Sequence, residues 1–461
     1  MSSQKKGKYI YRGVCTIVFA LFCTAVFMLW WYPFAKENNQ TKHLLGYANL
    51  LMSAGIYFIL YLILGKALKA FRIGVDRKAN LLASQVLTLF CNNALMTFIS
   101  CAITGQFRFY PQFLWRYAVV FLIEAVVLCF ATVFLVDIYR KIFPPHRVLE
   151  VFCDRTGGKM RFMEDRPDKY RIADSINVDE LEGNLEPIYE KMASYDAVLI
   201  NDIPSEIKND ILKECFKRDK RVYFTPKISD IIEKNAEEIN LFDTPLYLCR
   251  NSGVSMWQLA LKRFFDVFLS LIGLIVTSPI LLITALAIKL EDGGPVFFRQ
   301  ERTTIGGKQF SILKFRSMIV DAEKDGRPHP AGEKDDRITR VGRLIRATRI
   351  DELPQIINII KGDMSIVGPR PERIEHVKKY TEEIPEFELR LKMKGGLTGP
   401  AQVFGKYNTS PLNKLKMDLY YITNYSILLD LQILFETVKI LVQKESTEGF
   451  SEDKQKEMHD A

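Results

Sequence analysis

Between Asp335 and Pro371 the chain reads DDRITRVGRLIRATRIDELPQIINIIKGDMSIVGPRP. Arginines recur at every third position, Arg337, Arg340, Arg343, Arg346 and Arg349; the acid pair Asp351-Glu352 follows, and Arg370 stands between Pro369 and Pro371. Guanidinium forks bind phosphate oxygens in pairs. Carboxylates set among such charge are expected to stay ionised, able to attack an electrophile or hold a metal. The pattern reads as phosphate chemistry.

Each part has a plainer alternative. Three-residue spacing turns about 300° per step on a helix, so five arginines drift around its surface and most meet headgroups or solvent. Arg346, a short way before Asp351, is the one expected to reach a substrate. Arg370 is the stronger candidate, because flanking prolines lower the entropy lost on ordering it. Asp351 is a good N-cap, Pro354 is tolerated in a first turn, and Gly362 suits the position after a helix end. A helix over 352–361 is therefore expected, with the acid pair at its positive end, where phosphate is also favoured. Neighbouring side chains diverge by about 100°, so one carboxylate attacks while the other holds a metal or handles a proton. Alternatively, both simply cap the helix. Lys314-Phe315-Arg316-Ser317-Met318 adds a basic pair to a strand-like run, 310–318, although any surface strand exposes such charges.

These residues need a scaffold. At 461 residues the chain exceeds one core, so two or three units are expected. Hydrophobic residues reach 48% beside 25% charged ones, with mean hydropathy +0.02, so the apolar residues must be segregated. They fill four runs, 14–32, 44–64, 81–104 and 117–138, each near the ~20 residues that cross the hydrocarbon layer. Lys5, Lys6, Lys8, Arg12, Lys66, Lys69, Arg72, Arg77, Lys78, Arg140, Lys141 and Arg147 flank one side; Lys36, Lys42, Arg108 and Arg116 flank the other. The positive-inside rule puts the amino terminus and all that follows residue 140 in the cytoplasm. The first run is too long for a cleavable signal and lacks a small-residue cleavage site. Glu124, inside the fourth run, marks either a functional site or a helix–helix contact.

Residues 147–250 alternate strand-like runs (147–153, 197–201, 221–224, 246–249) with helical patterns (205–218, 229–239), which argues for a small parallel α/β sheet. The turn Asp154-Arg155-Thr156-Gly157-Gly158 lacks G-x-G-x-x-G, so a regulatory or assembly module is expected rather than a dinucleotide site. A further apolar run, 267–288, is interrupted by Thr277-Ser278-Pro279. Proline breaks or kinks a helix, and each half is then too short to cross. With Lys262, Arg263, Lys289, Arg299 and Arg302 at both ends, a re-entrant segment entering and leaving on the cytoplasmic face is expected, Ser278 satisfying freed carbonyls. A kinked complete span is the alternative. Amphipathic stripes at 338–345 and 427–442 suit either the membrane interface or the domain core. Residues 444–461 read as a charged, solvated tail. Net charge +9 suits anionic membranes or substrates. No recognition helix, zinc pattern or aromatic-basic RNA motif is present, which argues against nucleic acid. Eight cysteines without metal-ligand spacing imply free thiols in a reducing compartment.

Taken together, Lys262-Arg263-Phe264-Phe265-Asp266, Ser278-Pro279, Gly294-Pro295-Val296-Phe297-Phe298-Arg299-Gln300, Lys314 to Met318, Asp351-Glu352-Leu353-Pro354-Gln355 and Gly368-Pro369-Arg370-Pro371 resemble the polyprenyl-phosphate hexose-1-phosphate transferases. Those bacterial sugar transferases start exopolysaccharide, capsule or O-antigen repeat units. The resemblance covers about 262–442, and the whole chain looks like the family's large, three-part architecture. It implies a helical membrane bundle plus α/β fold. Four transmembrane helices (1–146) precede a Rossmann-like α/β module (147–250) and a mostly α monotopic catalytic domain (256–443) with a re-entrant helix (262–290).

It further implies a UDP-sugar donor, undecaprenyl phosphate as acceptor, Mg²⁺ as cofactor, contact with membrane lipids, a homodimer and a place in the bacterial cytoplasmic membrane. By similarity Asp351 attacks the donor's sugar-side phosphorus and expels UMP. The lipid phosphate then takes the phosphosugar from the enzyme. Glu352 assists with metal or proton, Asp351 and Glu352 hold Mg²⁺, and Lys314, Arg316, Arg346, Arg370 and Gln402 meet phosphate or substrate. Pro400 stands where the family more often has an aromatic, and Gly395-Gly396 replaces its usual turn; both bear on donor recognition. Two rival readings remain: a glycosyltransferase that moves sugar without phosphate, releasing UDP, and a non-catalytic assembly scaffold.

Overall fold

In hydrocarbon a backbone polar group must find its partner within its own segment, so long apolar runs fold as helices. The computed structural model describes residues 3–37, 47–105, 107–154, 166–181, 183–241, 244–249, 254–320, 322, 335–405 and 409–442. The chain forms two units, Met1–Pro226 and Lys227–Ala461. Five helices are long and apolar enough to cross a membrane by length and composition.

In the first unit the four early runs become α1 (Ser3–Glu37), α2 (Tyr47–Ala67), α3 (Lys78–Thr104) and α4 (Tyr110–Ile142). Their core is aromatic, with Phe27 stacked on Tyr57 at 4.4 Å between centroids. Fully buried Glu124 accepts bonds from Tyr57 Oη and Asn93 Nδ2, both at 2.8 Å, so it ties α4 to α2 and α3.

The sheet follows: β1 (His146–Phe152), β2 (Tyr170–Asn177), α5 (Glu186–Met192), β3 (Ala197–Asn201), α6 (Ser205–Lys217) and β4 (Arg221–Phe224). The strands run parallel in the order β2-β1-β3-β4 around Leu149, Val151, Val198 and Ile200. β2 is missing from the sequence reading because its polar composition, YRIADSIN, hides a strand that is buried only at its end. Residues 155–158 of the turn after β1, and the tail at 444–461, lie outside the described residues.

The second unit opens with α7 (Ile228–Glu233), β5 (Glu237–Leu241) and β6 (Thr244–Leu248). The run 246–249, expected in the parallel sheet, instead forms an antiparallel hairpin with β5. Its exposed residues and Pro245 suit a two-stranded edge pairing better than a central strand. The 229–239 pattern likewise splits into a short helix and β5. Then come α8 (Met256–Asp292), the antiparallel pair β7 (Phe297–Thr303) and β8 (Gln309–Phe315), α9 (Arg340–Ala347), α10 (Gln355–Lys361), β9 (Ser365–Val367), α11 (Ile374–Glu383), β10 (Gly396–Thr398), α12 (Pro400–Phe404), α13 (Pro411–Thr423) and α14 (Ile427–Val442). Val367, Phe387, Met393, Leu415, Leu419, Tyr421 and Ile433 form the main core. Among the described residues no disulfide forms, and all eight cysteines remain thiols.

Candidate active site

Helix α8 is anchored at both ends to the unit that carries the acid pair. Lys262 Nζ meets Asp430 Oδ2 at 2.7 Å. Arg263 reaches the last turn of α10, bonding the carbonyls of Ile359 at 2.6 Å and Ile360 at 2.8 Å, where cations are favoured. Asp266 accepts from Ser365 Oγ at 2.8 Å and Ile366 N at 3.0 Å. Thus every charged residue of Lys262-Arg263-Phe264-Phe265-Asp266 is a docking contact. At the far end Glu291 Oε1 accepts from Arg340 N at 2.7 Å, the start of α9. Asp292 pairs with buried Arg316. Pro279 deprives the Ile275 carbonyl of its helical donor, and Ser278 Oγ supplies a bond to that same carbonyl at 2.8 Å.

Asp351 and Glu352 lie in a single 3-10 turn, Ile350–Glu352, rather than capping α10, which begins three residues later behind Pro354. Pro354 forces this offset by occupying the cap position itself. Gly362 closes α10 at φ 98, as expected. Arg349, just before the turn, holds φ 58 without being glycine, a conformation that costs about 1–3 kcal/mol and recurs at functional sites.

Lys314 Nζ, from β8, binds Glu352 Oε1 at 2.7 Å, and Arg370 Nη2 approaches the same oxygen at 3.4 Å. Asn358 braces this arrangement: its Oδ1 accepts from Leu313 N and its Nδ2 donates to Ser311 O, both at 2.9 Å, locking α10 to β8. The two carboxylates consequently differ. Burial works to raise the Glu352 pKa, but the charges of Lys314 and Arg370 overcome it and hold the group at about 2. Burial prevails at Asp351, raising its pKa against the pull of Lys314 and despite Arg346 and Arg349 nearby. Of the two carboxylates expected to stay ionised, Glu352 has surroundings that favour the charged form, whereas burial opposes it at Asp351. Burial also lowers the Lys314 pKa, opposed by Glu352.

The Pro369-Arg370-Pro371 loop is fixed by its carbonyls. Pro369 O accepts from Gly396 N at 2.9 Å, Arg370 O from Arg390 Nη2 at 2.9 Å and Pro371 O from Arg302 Nη1 at 3.3 Å. Arg390 is itself held by Asp418 at 2.7 Å and lies 3.8 Å from Glu372, with Arg390 and Asp418 both buried. A Cβ on Gly396 would sit 2.1 Å from Gly368 N, so the Gly395-Gly396 turn lets this loop close.

Lys314, Arg370, Asp351 and Glu352 therefore converge, with Arg346 acting on Asp351 through its charge. Arg316 turns away to Asp292 on α8. Gln402 Nε2 donates to Leu397 O at 3.3 Å, while its buried Oε1 has no hydrogen-bond partner among the described residues. Arg302, Glu372, Arg390 and Asp418 were missed as supports, and no local spacing signals contacts made so far apart in the chain. Mg²⁺ commonly takes one or two carboxylates and completes its shell with water and substrate phosphates. Asp351 and Glu352 fit that donor set; among the described residues no group of three or more His, Cys, Asp or Glu forms an all-protein cage.

A family model described as Bacterial sugar transferase matches residues 257–444, which include this whole constellation. The UDP-glucose:undecaprenyl-phosphate glucose-1-phosphate transferase of Klebsiella pneumoniae is 38% identical over 279 residues, covering 58% of this chain and 57% of that protein. The transferase of the same description from Escherichia coli (strain K12) is 42% identical over 220 residues, 45% of this chain and 46% of that one. The Exopolysaccharide production protein PSS of Rhizobium leguminosarum bv. phaseoli is 42% identical over 189 residues, 39% of this chain and 94% of that protein. The chain thus spans about half the length of the first two relatives and nearly all of the third.

Proposed function

The chain belongs to the bacterial sugar transferase family, and we propose that it transfers a hexose 1-phosphate from a UDP-sugar to undecaprenyl phosphate, releasing UMP, to begin an exopolysaccharide, capsule or O-antigen unit. Carrying this reading is the split between two adjacent carboxylates: Glu352 locked to Lys314 and Arg370, and Asp351 outside that pair. An Asp351 oxygen attacks the sugar-bearing phosphorus of the donor. The bond from that phosphorus to the bridging oxygen breaks, and UMP departs with the electron pair. An oxygen of the lipid phosphate then attacks the aspartyl phosphate, the Asp351–phosphorus bond breaks, and the lipid-diphosphate-sugar leaves with Asp351 restored.

Lys314 and Arg370 keep Glu352 ionised and oppose the negative charge that gathers at the phosphorus. Arg346 and Arg349 add to the field at Asp351. Asp351 and Glu352 would hold Mg²⁺, which when bound neutralises diphosphate charge. The names of the Klebsiella pneumoniae and Escherichia coli relatives, which specify UDP-glucose and undecaprenyl phosphate, support this substrate class.

In the same reading α8 is the re-entrant helix, α1 to α4 span the bacterial cytoplasmic membrane, and the catalytic unit lies on its cytoplasmic face. Docking of residues 262–266 and 291–292 onto one unit supports that arrangement, since a full crossing would separate those ends by the ~30 Å hydrocarbon layer. Incubation with UDP-sugars and undecaprenyl phosphate should release UMP, and Asp351→Ala should abolish it. With donor alone, label on the sugar-side phosphate should remain on the parent chain and not on the variant. Release of UDP would overturn the reading in favour of simple sugar transfer.

A further inference from the structure

The amino-terminal edge of the parallel sheet carries basic side chains that phosphate transfer does not use. His146 opens β1, Arg221 opens β4, and Lys8 lies near the start of α1. All three converge on one atom: Lys8 Nζ is 3.0 Å and Arg221 Nη1 2.7 Å from His146 Nε2. An imidazole nitrogen offers one lone pair, so two cations crowd a single acceptor. They stand no farther apart than those two contacts laid end to end, and like charges that close repel unless an anion joins them.

The neighbouring acids hold other partners, and Asp196 reaches Lys8 and His146 only through its charge. Asp196 accepts from Arg147 N at 2.9 Å, and Asp168 is held by Arg140 at 2.7 Å and Arg166 at 3.0 Å. Among the described residues no carboxylate lies within ion-pair distance of Lys8 or Arg221. Burial first, then the charges of Lys8 and Arg221, lower the His146 pKa to about 4, which leaves the ring neutral near pH 7.

We propose that Lys8, His146 and Arg221 form a binding site for a phosphate-bearing anion, and that its occupant is the phosphate of an anionic phospholipid headgroup. The cluster sits where α1 begins and α4 ends. Aromatic rings line that level: Lys8 lies 5.7 Å from the Phe143 ring, and Arg12 bonds Tyr139 Oη at 3.0 Å, the pattern of an interfacial belt. Tyr9, Ile10 and Val14 expose an apolar face of α1 beside it, a surface for acyl chains that a free phosphate has no use for. Basic residues at such a level attract anionic headgroups.

The test uses the full chain in neutral detergent, following thermal unfolding while short-chain phosphatidylglycerol, phosphatidylcholine of equal chain length, or inorganic phosphate is titrated. The expected result is a saturable rise in Tm with phosphatidylglycerol and none with phosphatidylcholine. Lys8→Gln/Arg221→Gln should weaken apparent affinity about tenfold or more. If the double variant does not fold, Lys8→Gln alone serves, with a several-fold loss expected. Equal responses to the two lipids, or an undiminished phosphatidylglycerol response in the variant, overturn the proposal. An equal rise with inorganic phosphate that the variant abolishes upholds the phosphate site and overturns its assignment to lipid.

Discussion

Glu352 Oε1 lies 2.7 Å from Lys314 Nζ, with both side chains mostly withdrawn from water, while Asp351, its neighbour in sequence, stands outside the pair. Adjacent carboxylates in unlike surroundings can take different roles. Replacing Lys314 with Met leaves Glu352 with Arg370 alone, at 3.4 Å. UMP release is expected to fall about 10²- to 10³-fold, the usual cost of one preorganised charge partner. Lys314→Arg should recover part of the loss, because a cation returns with altered geometry. Parent-like turnover by Lys314→Met would remove the electrostatic role assigned to it.

Arg390 contributes through Arg370. Its bond to the Arg370 carbonyl and its pairing with Asp418 make it a positioning residue. Arg390→Met strands a buried carboxylate and should cost about 3–5 kcal/mol in denaturant unfolding. The double variant Arg390→Met/Asp418→Leu removes the stranded charge, so stability should largely return while kcat stays low. Stability and activity recovering together would mean that Arg390 matters only to folding.

Local signals carried much of this fold. The strands at 197–201 and 221–224 and the helix starting at Ser205 follow from apolar runs and periodicity, and Gly362 from the need for a left-handed residue after α10. Asp351, Glu352, Lys314 and Arg370 were legible because residue type and short spacing named them. The docking role of Lys262, Arg263 and Asp266 was not, since their partners lie far along the chain, at Asp430, α10 and Ser365. Arg316 misled for a related reason: its neighbour Lys314 faces the acid pair, whereas Arg316 follows the end of β8 and turns to Asp292.

Glu372 supplies a pH signature. Burial acts to raise its pKa, but His376 and Arg390 prevail and the folded value is about 2, below the usual glutamate value of 4.5. A group with a depressed folded pKa stabilises the fold above its unfolded pKa and loses that contribution as pH falls towards the folded one. Stability is therefore expected to drop between about pH 5 and pH 2, with Glu372 contributing on the order of 3 kcal/mol. Glu372→Gln should flatten that slope in denaturant midpoints measured across pH. An unchanged slope would assign acid lability to other groups.

Gly396 is expected to tolerate no side chain. A Cβ there meets the backbone at Gly368 N, 2.1 Å away across the β9–β10 pairing, and at Thr398 O, 2.4 Å away within β10 itself. Gly396→Ala should cost about 1–3 kcal/mol by overpacking. It should also impair turnover beyond that loss, because Gly396 N anchors Pro369 next to Arg370. Comparing kcat with the folded fraction separates the two effects. A fully folded variant with parent kcat would show that the loop does not depend on this contact.

Pro279 tests the membrane geometry. Its missing N–H leaves the Ile275 carbonyl to Ser278 Oγ, so the helix can bend there without an orphaned acceptor. Pro279→Ala restores the backbone bond and removes the steric clash, favouring a straight helix. A straight α8 of its length would run about 55 Å, and its two docked ends could no longer share one face of the bilayer. In a chain whose native cysteines are replaced, single cysteines at the exposed positions Met256 and Ile305 report each flank. Both are expected to react with a membrane-impermeant maleimide added from the cytoplasmic side. With Pro279→Ala, part of the population should lose reactivity at one of them, and UMP release should fall with it. Labelling of the parent chain's two positions from opposite sides would make α8 a complete span and retire the re-entrant reading.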